Sequence, residues 1–139
     1  CDVVALDFSL PMLKEAYKRA KADEIELYLL RADARKLPFF SEDIHGIVCG
    51  GTLNEFSDPR KVLYECRRVL RVGGKFFLMH LLEAESWYGK VLQASAKAGG
   101  IRFWTRSKVN DLFESAGFTI KNQHREGIVC FTLLEAVED

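Results

Sequence analysis

Clustered cysteine, net charge and long apolar runs are all missing from this sequence, and each absence closes off a class of protein. The four cysteines, Cys1, Cys49, Cys66 and Cys130, stand far apart, and no two form a CxxC pair. Zinc centres and disulfide frameworks need closer spacing, so reduced core thiols in a cytoplasmic protein are the better reading. The three histidines, His45, His80 and His124, are equally scattered, and no metal is expected. Lysine plus arginine equals aspartate plus glutamate, 20 against 20. No net field therefore draws nucleic acid or an anionic membrane to the chain as a whole. No apolar run approaches the roughly 20 residues of a membrane span, and no signal-peptide pattern opens the sequence.

What is present suits a single domain. The 139 residues are 48% hydrophobic and 29% charged, enough apolar material for a core beneath a solvated surface. Strand and helix patterns alternate, which predicts an open α/β sheet with mostly parallel strands. Residues 3–6 read as a buried strand. A helix follows over 10–22, with Ser9 as N-cap, Pro11 in its first turn and Leu13, Ala16, Tyr17 and Ala20 on one face. Further strands are expected over 25–30 and 44–49. Asp58 and Pro59 open a helix whose apolar stripe is Val62, Leu63, Cys66, Val69 and Leu70. Gly73 and Gly74 then turn the chain into a strand over 75–79. Residues 85–98 read as helical, and a helix over 107–116 turns Val109, Leu112, Phe113 and Ala116 inward. The last strands, 118–125 and 128–137, pair as an antiparallel hairpin around Glu126-Gly127.

Two strand ends carry the chemistry. Val3-Val4-Ala5-Leu6-Asp7-Phe8-Ser9 is an apolar strand that ends in an acid and runs into a helix. Leu29-Leu30-Arg31-Ala32-Asp33-Ala34 ends the next strand in the same way. A carboxylate so placed accepts both hydroxyls of a ribose diol while held at the rim of a crevice. The Asp33 side chain can accept from an adenine amino group while a neighbouring backbone N–H donates to a ring nitrogen. Together the two acids point to an adenosine-containing cofactor. Plainer roles stay open: Asp7 as a cap for the following helix, Asp33 as an ordinary loop acid.

Three stretches in order, Asp7-Phe8-Ser9-Leu10-Pro11-Met12-Leu13, Ala32-Asp33-Ala34-Arg35-Lys36-Leu37-Pro38-Phe39, and Asp58-Pro59 through Arg68-Val69-Leu70-Arg71-Val72-Gly73-Gly74, resemble the class I S-adenosylmethionine-dependent methyltransferases. The group that includes the ubiquinone and menaquinone biosynthesis enzymes is the most similar. The resemblance covers most of residues 3–80, and Phe103-Trp104-Thr105-Arg106 to Gly117-Phe118 also looks like that family's last helix. It implies that Asp7 holds the ribose, with Phe8, Ser9 and Met12 against the adenosine. Asp33 and Ala34 would take the adenine edge and Leu37 its face. Cys49, Gly50 and Gly51 would pass beside the methionine part, where glycine permits close backbone approach. The other reading of Gly50-Gly51 is a plain strand-to-loop turn.

The same resemblance exposes a gap. The family carries a glycine-rich turn after a first strand, ahead of the acid that Asp7 matches, and this cradles the methionine end of the cofactor. A βα unit of roughly 30 residues or more is thus wanting, and residue 1 is Cys rather than Met. The expected fold is a Rossmann-like open twisted α/β sheet, mostly parallel with an antiparallel C-terminal hairpin, without that first strand and turn. Residues 1–139 would be one partial domain. The wanting strand would lie between those over 3–6 and 44–49. Each buried backbone group left unpaired there costs on the order of 1–3 kcal/mol. Their sum exceeds a typical domain stability of about 5–15 kcal/mol. Further sequence upstream is the first expectation, a strand from another chain or a rearranged sheet the others. Activity from these residues alone is not expected.

The implied reaction is in-line methyl transfer from S-adenosyl-L-methionine to a small-molecule acceptor. It asks mainly for alignment and exclusion of water. Asn54, Glu55, His80 and Glu83 could face the acceptor, but each also reads as a loop or helix-entry group, and no general base is assigned. Trp87, Tyr88, Phe103 and Trp104 flank a candidate acceptor-pocket cover over 85–106, or simply pack. Gly51-Thr52-Leu53-Asn54 stands where Asn/Asp-Pro-Pro-Tyr would mark nucleic-acid amino methylation, and no Pro-Cys pair marks cytosine chemistry. Two alternatives remain. An NAD(P)-dependent oxidoreductase also uses an acid after a strand for the ribose, though the YxxxK match at Tyr17–Lys21 comes too early in the chain for that role. A non-catalytic module could keep the fold and lose the cofactor.

Overall fold

Residues 2–138 are described by the structure, a computed structural model, so Cys1 lies outside the described residues. The chain divides into two units, Cys1–Pro38 and Phe39–Asp139. In the first, β1 (Val4–Asp7) and β2 (Tyr28–Arg31) flank α1 (Leu10–Ala22). The strands pair in parallel, Val4 opposite Tyr28 and Asp7 opposite Arg31. Helix α1 begins after Ser9, in extended backbone, with Pro11 where no N–H is needed. Leu13 and Ala20 are buried, whereas Tyr17, expected inward, is exposed. Two strands offer a narrow face, and one row of the helix fills it.

Strand β2 starts three residues later than the apolar pattern suggests. The Ile25 N–H donates to Ala20 O at 2.8 Å, closing the end of α1, and Glu24 takes a left-handed φ of 54°. That N–H is spent before a ladder can begin. Val3 and Val4, expected buried, are exposed, because β1 has a strand partner on one edge alone among the described residues.

The second unit holds β3 (Ile44–Gly50), a short 3-10 turn at Thr52–Asn54, α2 (Pro59–Val69), β4 (Leu70–Leu81), α3 (Trp87–Ala98), α4 (Arg106–Ser115), β5 (Phe118–Glu126) and β6 (Val129–Ala136). The sheet order is β3-β4-β6-β5, with β3 parallel to β4 and β6 antiparallel to both neighbours. The C-terminal hairpin is as the sequence suggests. Asp58 caps α2 by accepting from Lys61 N at 3.1 Å, and all five stripe residues, Val62, Leu63, Cys66, Val69 and Leu70, are buried. Phe76, Leu78, Phe113, Phe118 and Leu134 complete the core.

Gly73 and Gly74 do not precede β4 but interrupt it. Leu70 already pairs with Ile44, and the ladder resumes at Gly46 opposite Lys75. Gly73, at φ 76°, supplies the left-handed residue of the intervening bulge. Among the described residues, β1 and β3 belong to different sheets and β4 is the sole strand neighbour of β3. Among the described residues no helix is long and apolar enough to cross a membrane, and no cluster of three metal-ligating side chains occurs. Cys49, Cys66 and Cys130 are free thiols. Burial, then the neighbouring Cys49 and Glu65, pushes Cys66 up to about 12, which keeps it protonated and inert.

Candidate cofactor and acceptor site

Asp7 ends β1, and its Oδ1 accepts the Ser9 N–H at 2.7 Å. This bond closes a turn just before α1, whose N-cap Ser9 makes no side-chain cap bond, and it occupies one oxygen only. No hydrogen bond reaches Oδ2 among the described residues. The strand end is held by Ala32 N–H, which donates to Asp7 O at 3.2 Å. Phe8 is 69% exposed, with the Arg31 guanidinium 5.6 Å from its ring centroid. Arg31 Nε also donates to Phe8 O at 3.0 Å. Met12 is exposed in the first turn of α1. Asp7, Phe8, Ser9 and Arg31 thus form one cluster.

Asp33 forms another. Its Oδ1 accepts from Arg35 N at 2.8 Å, and its Oδ2 from Arg35 Nη2 at 2.7 Å. The guanidinium therefore occupies the carboxylate that was expected to meet adenine. Both side chains are well exposed, so the pair contributes little and opens at small cost. Ala34 and Leu37 are half-buried beside it. An arginine two residues from the acid was the available signal for this pairing.

In the second unit, Cys49 and Gly50 end β3 and Gly51 leaves it. Cys49 Sγ lies 3.0 Å from Thr52 Oγ1. Gly51 has φ 88°, and its N–H donates to Met79 O at 3.1 Å. A Cβ there would come 3.0 Å from Met79 Cε, whereas one on Gly50 would meet nothing within 4 Å. Gly51 is required by backbone conformation; Gly50 leaves open space at the strand end.

Two residues placed near the acceptor by sequence face the core instead. Asn54 is buried, its amide bonded to the backbone of Leu81 and Arg102. His80 is fully buried, with Nε2 3.0 Å from Thr132 Oγ1 and the Phe113 ring edge-on at 5.6 Å. Its Nδ1 has no hydrogen-bond partner among the described residues. Burial pulls its pKa down to about 4, so the ring is neutral and sealed from any acceptor. Glu55 is exposed, and Glu83 pairs with Lys97 at 3.5 Å. A cleft of about 520 Å³ is lined by Lys97, Gly100, Ile101, Arg102, Phe103 and Trp104. Sequence reasoning passed over Gln93, which fastens α3 to the residues after β4; a lone amide among alanines gave no periodic signal.

The model of the methyltransferase domain family matches residues 1–78. The chain belongs to that family. Its curated relatives include demethylmenaquinone methyltransferases and a ubiquinone/menaquinone biosynthesis C-methyltransferase. The chain is 38% identical over 81 residues to the demethylmenaquinone methyltransferase of Thermotoga maritima, covering 58% of this chain and 34% of that protein. An uncharacterised chloroplastic methyltransferase of Arabidopsis thaliana aligns over 139 residues at 26% identity, covering 94% of this chain and 39% of that protein. The chain spans about a third of the length of the curated relatives it matches. Among solved structures, a methyltransferase-like protein of Bacillus halodurans superposes with TM-score 0.88 at 18% identity, covering 99% of this chain and 84% of that one. A SAM-dependent methyltransferase of Thermotoga maritima gives 0.79 at 20%, covering 96% and 72%. At these identities the structural likeness carries the fold alone.

Proposed function

We propose that this protein binds S-adenosyl-L-methionine through Asp7 and methylates a small-molecule acceptor. One observation carries the reading: Asp7 stands at the carboxyl end of β1 with Oδ1 engaged by Ser9 and Oδ2 open. A rigid acceptor-only carboxylate suits a ribose diol. The other residues fit the nucleoside as well. Phe8 and Met12 offer exposed apolar surface, and Ala34 and Leu37 are half-buried beside Asp33. Asp33 takes the adenine amino group once Arg35 swings away, a step that an exposed ion pair opposes weakly. Within the second unit, Gly50 is the residue proposed for the methionine part, since a Cβ there would meet nothing within 4 Å.

The bound cofactor supplies a methyl group already activated on a sulfonium. The chain's residues bind it, orient it and keep water away. Asn54 and His80 take no proton from an acceptor, being buried and bonded within the core. Residues 85–106 are the proposed acceptor cover.

The test is a thermal-shift titration of the full-length protein with S-adenosylhomocysteine, with NADH as control. Saturation at a hundred times Kd adds about 2.7 kcal/mol of stability. A shift with S-adenosylhomocysteine alone supports the reading. A folded protein that shifts with neither compound overturns it in favour of a partner-binding module.

A further inference from the structure

Helix α3 is inside out. The residue it buries is Gln93, while Trp87 is 77% exposed, Tyr88 61%, Val91 61% and Leu92 58%. The polar face is fastened inward. Gln93 Oε1 accepts the Ala84 N–H at 3.0 Å, and its Nε2 donates to Leu82 O at 3.0 Å. Gly89, one turn earlier on the same face, lies so close that a Cβ would sit 2.5 Å from that of Ala84. The segment beyond the helix is tied down too, by Glu83 N–H donating to Trp104 O at 2.9 Å. The apolar face therefore cannot be turned inward without breaking buried hydrogen bonds. Trp87, Val91, Ala94 and Ala98 recur at helical spacing along it, and Lys90 and Lys97 share one flank.

Charge selects what covers that face. From residue 86 to residue 110 there is no acid, but there are five cations, Lys90, Lys97, Arg102, Arg106 and Lys108, of which Lys97 is paired with Glu83 at 3.5 Å. No such imbalance exists in the chain as a whole, which is neutral. A second copy docked face to face would set these cations against themselves. An anionic lipid surface complements them, and it accepts Trp, Tyr and aliphatic side chains at its headgroup boundary. We propose that α3 is an interfacial helix that seats this protein on anionic membranes, with Trp87, Tyr88, Val91 and Leu92 inserted and Lys90 against the headgroups. The inference is independent of the cofactor reading.

The experiment is co-sedimentation of the full-length protein with vesicles of phosphatidylcholine alone and of phosphatidylcholine mixed with phosphatidylglycerol, at low and high salt. Expected is binding to the mixed vesicles that falls several-fold in high salt, with a blue shift of tryptophan emission that W87F abolishes. The double variant V91D/L92D, altered only at exposed positions, should melt as the wild type does and lose the binding. K90E should weaken it in proportion to anionic lipid content. The proposal is overturned by no sedimentation with either vesicle, or by binding that V91D/L92D leaves intact. It is equally overturned if Trp87 is already shielded from quencher without lipid, or if V91D/L92D abolishes a dimer instead.

Discussion

Asn54 and Leu81 are joined through both ends of one amide: Asn54 Oδ1 accepts the Leu81 N–H at 2.7 Å, and Nδ2 donates to Leu81 O at 2.9 Å. The same Nδ2 reaches Arg102 O, and Asn54 O accepts the Arg102 N–H at 2.9 Å. One buried side chain thus ties the turn after β3 to the end of β4 and to the loop before α4. Asn54→Ala strands at least two backbone groups in the core. It should destabilise the fold by about 2–4 kcal/mol, read as a lowered urea midpoint. An unchanged midpoint would remove Asn54 as a fastener.

His80 gives the protein an acid-labile core. Its folded pKa of about 4 lies below the ordinary 6.5 because burial disfavours the imidazolium. Between those values the unfolded chain holds the proton and the folded chain does not. Stability from this group is therefore complete above about pH 6.5, declines as pH falls, and levels off below about pH 4. The loss is on the order of 3 kcal/mol. Thermal melts of wild type and His80→Phe across that window should diverge in slope, the variant being the flatter. Equal slopes would contradict the assignment.

Asp7 separates a turn-closing role from ligand binding. Asp7→Asn keeps an oxygen for the Ser9 N–H but loses the charge. Stability should change little. S-adenosylhomocysteine affinity should fall roughly 10–100-fold, the value of a hydrogen bond to a charged acceptor. Asp7→Ala should lose both. Calorimetric titration of the two variants distinguishes a binding acid from a helix-entry acid.

The adjacent glycines should part company. Gly51→Ala forces a left-handed φ of 88° and a contact of 3.0 Å on Met79, at a cost of about 1–2 kcal/mol. Gly50→Ala meets nothing within 4 Å and should leave the melting temperature unchanged. It should weaken S-adenosylhomocysteine binding if the cofactor passes beside it. Melts with and without the compound read both effects.

The strand-end positions of the two acids were legible: Asp7 follows four apolar residues, and Asp33 follows Leu29-Leu30-Arg31-Ala32 at the end of β2. The pairing of Asp33 with Arg35 and the inward turn of Asn54 and His80 were not. A polar residue near a strand end looks the same in sequence whether its side chain meets a ligand or a backbone carbonyl. His80 is silent for a further reason. Its partner Thr132 is remote in sequence, and such a pair exists only after β4 and β6 have come into register.

The sequence by itself determined what depends on local chemistry: the start of α2 from Asp58-Pro59, the antiparallel closing hairpin around Gly127, and the alternation that makes the fold α/β. These follow from backbone preferences and near-neighbour hydrogen bonds, which residue identity encodes directly. Only the tertiary structure decided the late start of β2, where Ile25 closes a helix instead of opening a strand, the bulge at Gly73 within β4, and the outward apolar face of α3. Each turns on where one backbone or side-chain hydrogen bond is made. An apolar pattern reports only that a residue can be buried; the competition for polar partners settles whether it is.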